Sequence, residues 1–338
     1  MARAGAAGGA ASGVAVVGCG YWGRNLVRNF AELGALAAVV DPNPATAAAL
    51  SAEHGAPARA FEDVLADPAI AAIATASPAA LHFEVASRAL RAGKDVFVEK
   101  PIALSVADGE ALRDLSASLN RVLMVGHLLQ YHPAYLRLRA MVEEGAVGPL
   151  RYVYSNRLSL GKLRTEEDVV WSFAPHDISM VLGLAGGEAP SRVAAHRAFP
   201  LGGGVADSAH LHLEFASGLR AHVFASWLHP FKEHRLVATG ERGTLVFDDT
   251  KSWDEKLVLT EHEVTAGPAL KKGRVAPVPV EPGEPLKAEC RHFLEAVRDR
   301  SKPRTDAEEA LAVLRVLRDA DPAGAPAADA ASAMGRAA

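Results

Sequence analysis

The stretch that decides the fold is Val14–Gly23, which reads VAVVGCGYWG. Its first four residues are apolar, as in a strand buried on both faces of a parallel sheet, and a G-x-G-x-x-G motif follows at once. In this context Gly18 permits a tight turn, Gly20 lets backbone N–H groups approach a pyrophosphate, and Gly23 allows close packing of helix on strand. The alternative is a glycine-rich surface turn. The predicted dinucleotide contacts in this loop are Gly18, Gly20, Tyr21, Trp22 and Gly23.

Asp41 ends the next apolar run, Leu36 to Val40, and is the second signal of a dinucleotide site. A carboxylate at this position accepts hydrogen bonds from the adenosine ribose hydroxyls and repels a 2′-phosphate. No Arg or Lys follows in Pro42-Asn43-Pro44 to offset that repulsion. The sequence therefore favours NAD over NADP.

Short apolar runs alternate with helical stretches through the first third of the chain, which predicts a parallel sheet covered by helices on both faces. The predicted strands are 14–17, 36–40, 70–76, 95–99 and 122–125. After a helix over 133–144, the pattern changes to strands separated by short turns, at 150–155, 192–198, 207–215, 219–226, 235–239 and 244–247. Helices over 286–300 and 306–320 close the chain.

This pattern predicts an α/β fold with two domains. A doubly wound Rossmann sheet occupies residues 12–128, and an α+β domain with a large, mainly antiparallel, open-faced sheet occupies 129–320. Residues 1–11 are expected to be a disordered leader rather than a signal peptide, because they consist largely of Ala and Gly and lack the Leu, Ile and Phe of an h-region. Residues 321–338 are expected to be a disordered tail.

Composition excludes several classes of partner. The 338 residues carry a net charge of −4, so the surface has no strong field to hold nucleic acid or an anionic membrane. The two cysteines, Cys19 and Cys290, are too few for a disulfide framework, which favours a reducing, cytoplasmic location.

Two positions offer acid–base chemistry. Lys100 follows a strand of the first sheet, at the end where ligands of open α/β sheets bind, and an ammonium group there can stabilise an alkoxide. The alternative is a solvated lysine. The next residue, Pro101, permits a cis peptide bond. His176 is a candidate general base with Asp177 beside it, just before the helical run Ile178 to Leu184. Its alternative is a polar pair at a helix N-terminus.

Motifs spread from Val14 to about Ala320 resemble the Gfo/Idh/MocA oxidoreductases: GCGYWGRNLVRNF, VVDPNP, SPAALH, VFVEKP, LMVGH, WSFAPHDIS and EPLKAECRHF. The resemblance is nearest to sugar-nucleotide 3-dehydrogenases. It implies that Lys100 and His176 are catalytic. It also implies that the loop of Ser77, Pro78 and His82 lies under the nicotinamide and that Glu99 lines the cofactor. Many members carry Asp or Asn four residues before the histidine, where this chain has Ser172.

The expected activity is hydride transfer between NAD and a secondary alcohol of a sugar or sugar nucleotide, at C3 of a UDP-sugar. The alternatives are a ketosugar reductase or inositol-type cyclitol dehydrogenase, and a non-catalytic dinucleotide-binding regulator. The expected substrate contacts, for which a solvated loop is the alternative, are Gln130, Tyr131, Asn156, Arg157, Lys162, Arg164, Trp171 and His176.

A metal site is not expected. His210 and His212 alternate with Leu211 and Leu213, so they lie on the polar face of a strand, as His222 does on its own strand. The resemblance implies that this face joins subunits into a homodimer or homotetramer.

Overall fold

The computed structural model describes residues 13–161, 163–164, 167–202, 204–264 and 270–321. The predicted leader, all but the first residue of the predicted tail, and Lys162 lie outside the described residues. The chain divides into two compact units. The first unit contains the chain up to Ala103 together with Ala107–Gly126 and Leu286–Ala307, and the second contains Leu104–Val106, His127–Pro285 and the chain from Glu308.

The first unit is built on a five-stranded parallel sheet in the order β2-β1-β3-β4-β5, which confirms the predicted Rossmann architecture. Its strands are β1 (Gly13–Val17), β2 (Leu36–Val40), β3 (Ile70–Thr75), β4 (Asp95–Glu99) and β5 (Leu123–Gly126). Its helices are α1 (Gly23–Glu32), α2 (Pro44–His54), α3 (Phe61–Ala66), α4 (His82–Arg91), α5 (Val106–Ser118) and α8 (Pro285–Asp299). Every residue of β4 and β5 is buried, as expected for strands covered on both faces.

Helix α8 belongs to the first unit, although the sequence analysis placed it in the second domain. The ring of Phe293 lies edge-on to Phe30 and Phe97, with centroid distances of 6.3 and 5.8 Å. All three rings are fully buried. This aromatic packing is a contact across nearly 200 residues of chain, which local periodicity cannot reveal.

The second unit contains an eight-stranded sheet in the order β13-β12-β11-β10-β6-β9-β8-β7. Its strands are β6 (Leu150–Leu160), β7 (Arg192–Ala198), β8 (Ser208–Glu214), β9 (Arg220–Ser226), β10 (Leu228–Gly240), β11 (Gly243–Asp248), β12 (Leu257–Val264) and β13 (Leu270–Pro277). Its helices are α6 (Pro133–Glu143), α7 (Val169–Leu184) and α9 (Ala307–Ala320). The sheet is antiparallel except where β6 pairs with β9, and the sequence analysis did not predict β12 and β13.

Helix α7 packs on β6, β8 and β9 and covers one face of this sheet. The covered face is apolar: Ala209, Leu211 and Leu213 of β8 are buried, whereas His210 and His212 between them are exposed. The predicted open-faced sheet is therefore confirmed.

Candidate active site

Four loops of the first unit leave the carboxyl ends of parallel strands and carry most of the predicted cofactor residues. The glycine loop follows β1, Asp41 follows β2, Ser77 and Pro78 follow β3, and Lys100 follows β4. Carboxyl ends of parallel strands share one edge of a sheet, and in open α/β sheets ligands bind outside that edge. The structure thus brings these residues to a single edge.

The glycine loop shows why its three glycines differ. Gly18 has a φ of +79°, and a Cβ there would lie 2.6 Å from the backbone nitrogen of Ser77. A Cβ on Gly23 would lie 1.9 Å from the carbonyl oxygen of Gly18, so the start of α1 packs directly on the turn. A Cβ on Gly20 would have no protein atom within 4 Å. The space beside Gly20 is open for a ligand group, and the other two glycines are required by the fold of the loop.

Asp41 is held by two main-chain groups. Its Oδ2 accepts a hydrogen bond from the Cys19 N–H at 2.7 Å, and its Oδ1 accepts one from the Asn43 N–H at 2.9 Å. Cys19, in the glycine loop, is buried, and burial is the main cause that raises its thiol pKa to about 12. The carboxylate is therefore tied to the glycine loop, with lone pairs left for ribose hydroxyls.

His82 connects the loop after β3 to the loop after β4. Its Nδ1 lies 2.7 Å from the carbonyl oxygen of Pro101, and its Nε2 lies 2.8 Å from that of Ser77. The side chain is 1% exposed, and burial, opposed by these two hydrogen bonds, lowers its pKa. His82 was predicted to be a cofactor contact, but the structure uses both ring nitrogens to hold two loops together.

Glu99 occupies the end of β4 and joins it to the glycine loop. The indole N–H of Trp22 donates a hydrogen bond to its Oε1 at 2.5 Å, and the Lys100 N–H donates one to its Oε2 at 3.3 Å. Gly126 leaves room for this carboxylate, because a Cβ there would lie 2.8 Å from Oε2. Lys100 is half-buried, and its peptide bond to Pro101 is cis. Tyr21, in contrast, is 90% exposed at the tip of the glycine loop.

These residues fit a bound dinucleotide. Helix α1 begins without a side-chain cap or an acidic residue in its first turn, so the N-terminus favours a pyrophosphate. The open space at Gly20 admits that group, and Asp41 supplies the ribose acceptor. A bound NAD would be held by the glycine loop and Asp41, whereas contact with the other predicted cofactor residues stays a prediction.

His176 lies inside helix α7 rather than before it. The helix begins nine residues earlier than predicted, because Asp168 caps it by accepting the N–H groups of Val170 and Trp171, both at 3.0 Å. Pro175, which reads as a helix breaker, is accommodated within the helix. His176 itself is half-buried, and its ring is thus carried on a rigid element of the second unit.

Asp177 does not serve as the helix-terminal partner considered for His176. It is 1% exposed, accepts a hydrogen bond from the Ser155 hydroxyl at 2.5 Å, and forms an ion pair with the Arg157 guanidinium at 2.5 Å. Arg157 lies on β6 and not on a loop, and this buried pair engages its charge. The expectation that Arg157 contacts the substrate is therefore corrected: its guanidinium fixes α7 to the sheet.

The other predicted substrate residues divide into buried and exposed groups. Gln130 and Tyr131 are each 2% exposed, and the Gln130 amide donates to the Ser179 carbonyl and hydroxyl at 2.8 and 2.9 Å. Trp171 is 3% exposed. All three side chains are buried, which excludes the alternative of a solvated loop for these positions, and their contact with substrate stays a prediction.

Asn156 and Arg164 each pair with a glutamate of the same unit. The Asn156 amide donates to Glu233 at 2.8 Å, and Arg164, on the loop before α7, contacts Glu167 at 2.6 Å. Arg164 is 49% exposed and its pair is solvated, so this side chain stays available to a ligand.

A polar cluster that links α7 to α9 was not predicted from the sequence. Glu309 of α9 accepts hydrogen bonds from the Ser179 hydroxyl, at 2.6 Å, and contacts His127 Nδ1, also at 2.6 Å. His127 is 2% exposed. The three residues are separated by up to 182 positions in the chain, and only the LMVGH motif gave any signal for one of them.

The uncovered face of the eight-stranded sheet carries neighbouring aromatic and histidine rings. Tyr154 stacks on His222 at 5.4 Å, and Phe224 stacks on His210 at 4.0 Å. Across the described residues, no three His, Cys, Asp or Glu side chains are grouped so that they could hold a metal ion. The rings instead form a broad, uncharged patch.

Comparison with known proteins defines the class. Residues 12–127 match the Gfo/Idh/MocA oxidoreductase family with an NAD-binding Rossmann fold, and residues 135–246 match the C-terminal domain of that family. The chain belongs to the Gfo/Idh/MocA family of NAD-binding oxidoreductases, as its motifs indicated.

Relatives within the family include dehydrogenases of two substrate types. A UDP-N-acetylglucosamine 3-dehydrogenase from Acidithiobacillus ferrooxidans is 34% identical over 175 residues, which cover 51% of this chain and 54% of that protein. An inositol 2-dehydrogenase from Corynebacterium glutamicum (strain R) is 31% identical over 183 residues, again 51% and 54%. The aligned parts thus span about half the length of these curated relatives.

Solved structures align over more of the chain. A structure of the Acidithiobacillus enzyme has a TM-score of 0.81 at 25% identity and covers 92% of this chain and 97% of that one. An oxidoreductase from Magnetospirillum magnetotacticum MS-1 has a TM-score of 0.78 at 31% identity, with coverage of 90% and 98%. Across the described ranges, every helix is too short or too polar to cross a bilayer.

Proposed function

We propose that this protein is an NAD-dependent dehydrogenase that moves a hydride between nicotinamide and a secondary alcohol of a sugar nucleotide, at C3 of a UDP-sugar. The observation that carries the proposal is the shared sheet edge at which the glycine loop, Asp41 and Lys100 lie. The similarity to a UDP-N-acetylglucosamine 3-dehydrogenase supports the substrate class.

In this mechanism His176 is the general base that takes the proton of the substrate hydroxyl. Lys100 donates a hydrogen bond to the developing alkoxide and stabilises its charge. Bound NAD would supply its nicotinamide ring as the acceptor of the hydride. The same two groups serve the reverse reaction, with His176 returning the proton.

Supporting residues prepare the cofactor half of the site. Asp41 selects NAD over NADP through the ribose hydroxyls, and Glu99 orients Trp22 of the glycine loop. His82 fixes the Ser77–Pro78 loop against the segment that follows Lys100. Residues 12–128, with helix α8, form the NAD-binding part, and the remainder of 129–320 binds the substrate.

Two further assignments follow from the second unit and the cysteines. The patch of Tyr154, His210, His222 and Phe224 has the aromatic, lysine-free composition of an interface core, which supports a homodimer or homotetramer through this sheet. Cys19 and Cys290 are both buried, and so small a number of cysteines supports a reducing, cytoplasmic location.

A panel of substrates tests the activity. The purified protein is mixed with NAD and with UDP-N-acetylglucosamine, its uronate, other UDP-sugars or inositols, and NADH formation is followed by absorbance. We expect a UDP-sugar to give the highest kcat/KM. An inositol preference would favour the second candidate, an inositol dehydrogenase, which the Corynebacterium relative supports. Tight NAD binding without turnover of any polyol would contradict both.

A further inference from the structure

Four residues on helix α7 form one stripe, which we call the histidine stripe: Ser172, His176, Ser179 and Gly183. Their spacings of four, three and four residues place them on the same face of the helix. Ser172 and Ser179 are 5% and 1% exposed, and a Cβ on Gly183 would lie 2.4 Å from the Tyr135 hydroxyl. The C-terminal end of the stripe, at Gly183, is therefore packed against α6. His176 lies one helical turn before Ser179.

Glu309 approaches the histidine stripe from helix α9. Its Oε1 accepts the hydrogen bond of the Ser179 hydroxyl at 2.6 Å, and its Oε2 lies 2.6 Å from Nδ1 of His127. The carboxylate is only 19% exposed. Gln130 holds Ser179 from the other side through two hydrogen bonds. The contact holds the Glu309 carboxylate at Ser179, which lies three residues after His176 on the same face of α7.

Other charged groups around α7 are balanced by partners. On the sheet side, Asp177 is paired with Arg157, with His234 of β10 opposite Arg157 in the strand register. At the start of the helix, Asp168 is paired with Arg197 of β7. Among these carboxylates, Glu309, which also contacts His127, is the one that binds a residue of the histidine stripe.

Helix α6 and strands β8 and β9 also contact α7, and Tyr135 of α6 lies near the charges of Arg139 and Glu143. Helix α6 presents the Tyr135 hydroxyl, which donates to the Met180 carbonyl at 2.9 Å. Strands β8 and β9 present apolar side chains to the helix, including Leu211 and Val223. Ser172, one turn before His176, brings a hydroxyl group and no formal charge.

We propose that Glu309 is the positioning residue of His176: it holds the histidine stripe through Ser179, and its charge favours the imidazolium formed when His176 accepts a proton. This inference rests on the proposed role of His176 as general base. A half-buried carboxylate held at Ser179, one helical turn from His176, favours a cationic imidazole, since opposite charges stabilise each other more strongly away from bulk water. In this chain the carboxylate comes from a distant helix, whereas position 172 carries only a serine.

The test removes the charge and keeps the shape. In Glu309→Gln we expect the NMR titration midpoint of His176 to fall by about half a pH unit or more, because a nearby opposite charge shifts a midpoint by about one to three units at the closest range. The pH at which hydride transfer rises should fall in parallel, with kcat reduced more than KM changes. The matched control is Glu308→Gln, an exposed neighbour on α9, which should leave both midpoints unchanged.

Two more variants separate charge from packing. Ser179→Ala removes the hydroxyl that Glu309 binds but keeps the carboxylate, so we expect a smaller shift than in Glu309→Gln. Adding Ser172→Asp to Glu309→Gln returns a carboxylate to the same helix face and should restore the midpoint. An unchanged His176 midpoint in Glu309→Gln, or a shift that Ser172→Asp does not reverse, overturns the inference.

The NMR titration needs no substrate, so its result is independent of the activity. A shifted midpoint in a protein that oxidises no polyol leaves the electrostatic role of Glu309 standing and rejects the proposed function. An active enzyme whose His176 midpoint does not shift in Glu309→Gln supports the proposed function and rejects the role of Glu309.

Discussion

At the strand ends of the first unit, Asp41 and His82 are held by main-chain groups, whereas on helix α7 of the second unit Asp177 and Ser179 are held by charged and polar side chains. Asp41 and His82 each bind two backbone atoms of neighbouring loops. Asp177 binds Arg157 and Ser155, and Ser179 binds Glu309. The backbone scaffold depends on loop geometry, and the side-chain scaffold depends on the identities of individual residues far apart in the chain.

This difference predicts that removing side chains at the strand ends chiefly affects ligand chemistry, that changes to the loop backbone packing affect stability, and that removing side chains around α7 affects stability as well. Four experiments test it, in order of decreasing effect.

Replacing Lys100 by alanine should have the largest effect. We expect hydride transfer to fall by about 10²–10⁴-fold, the usual contribution of a positioned acid–base group, while the unfolding temperature stays within a few degrees. Stopped-flow measurement of NAD reduction in a single turnover reports the step directly. A rate close to that of the wild type would remove Lys100 from the mechanism.

Asp177→Asn tests the buried ion pair. The substitution leaves the Arg157 charge in the interior without its partner, so we expect a loss of about 3–5 kcal/mol in the free energy of unfolding. Chemical denaturation measures it. Asp319→Asn, in an exposed pair with Arg318, is the matched control and should cost less than about 1 kcal/mol. Equal losses in the two variants would show that the buried pair contributes no more to stability than the exposed pair.

The lowered pKa of His234 predicts that the stability of the second unit depends on pH. Burial, followed by the charges of Arg157 and Lys232, lowers the pKa of His234 from 6.5 to about 4. Between these values the unfolded chain takes up a proton that the folded chain does not, so stability is lost as the pH falls from about 6.5 to 4. The full loss is about 3 kcal/mol, and His234→Gln should remove most of it. Unfolding measured at several pH values checks this; identical slopes in wild type and variant would contradict it.

The glycine loop offers a matched pair with the smallest stability effects. Gly23→Ala forces a methyl group onto the Gly18 carbonyl and should lower the free energy of unfolding by about 1–3 kcal/mol. Gly20→Ala has space and should leave stability unchanged within about 0.5 kcal/mol, but weaken NAD binding by roughly tenfold or more through lost phosphate contacts. Titration calorimetry and thermal unfolding separate the two, and unchanged affinity in Gly20→Ala would place the pyrophosphate elsewhere.

The sequence was sufficient for the first unit because its signals are local. A strand, a glycine turn and a helix occupy about 20 consecutive residues, and Asp41 follows from the end of the next strand. The fold class and the NAD-binding family were confirmed on this basis. Strand-end position is a rule of parallel sheets, so Lys100 could be placed without knowing any side-chain contact.

The second unit was harder because its decisive contacts are long-range. Pro175 concealed the true start of α7, and the alternation that marks a half-buried strand is weak in β12 and β13. Arg157 was predicted to contact the substrate because its partner, Asp177, lies 20 residues away on another element. Glu309 could not be connected to His176 at all, since no spacing rule relates helix α9 to helix α7.

The aromatic packing of helix α8 has a consequence for the order of events during synthesis. Phe30 and Phe97 leave the ribosome early, but Phe293, which packs against both, is made almost 200 residues later. Although domains generally fold as units from the N-terminus onward, the first unit here cannot close its core until the second has been translated. A nascent chain that stops before Leu286 therefore exposes two phenylalanine rings, and such a chain is a natural substrate for chaperones.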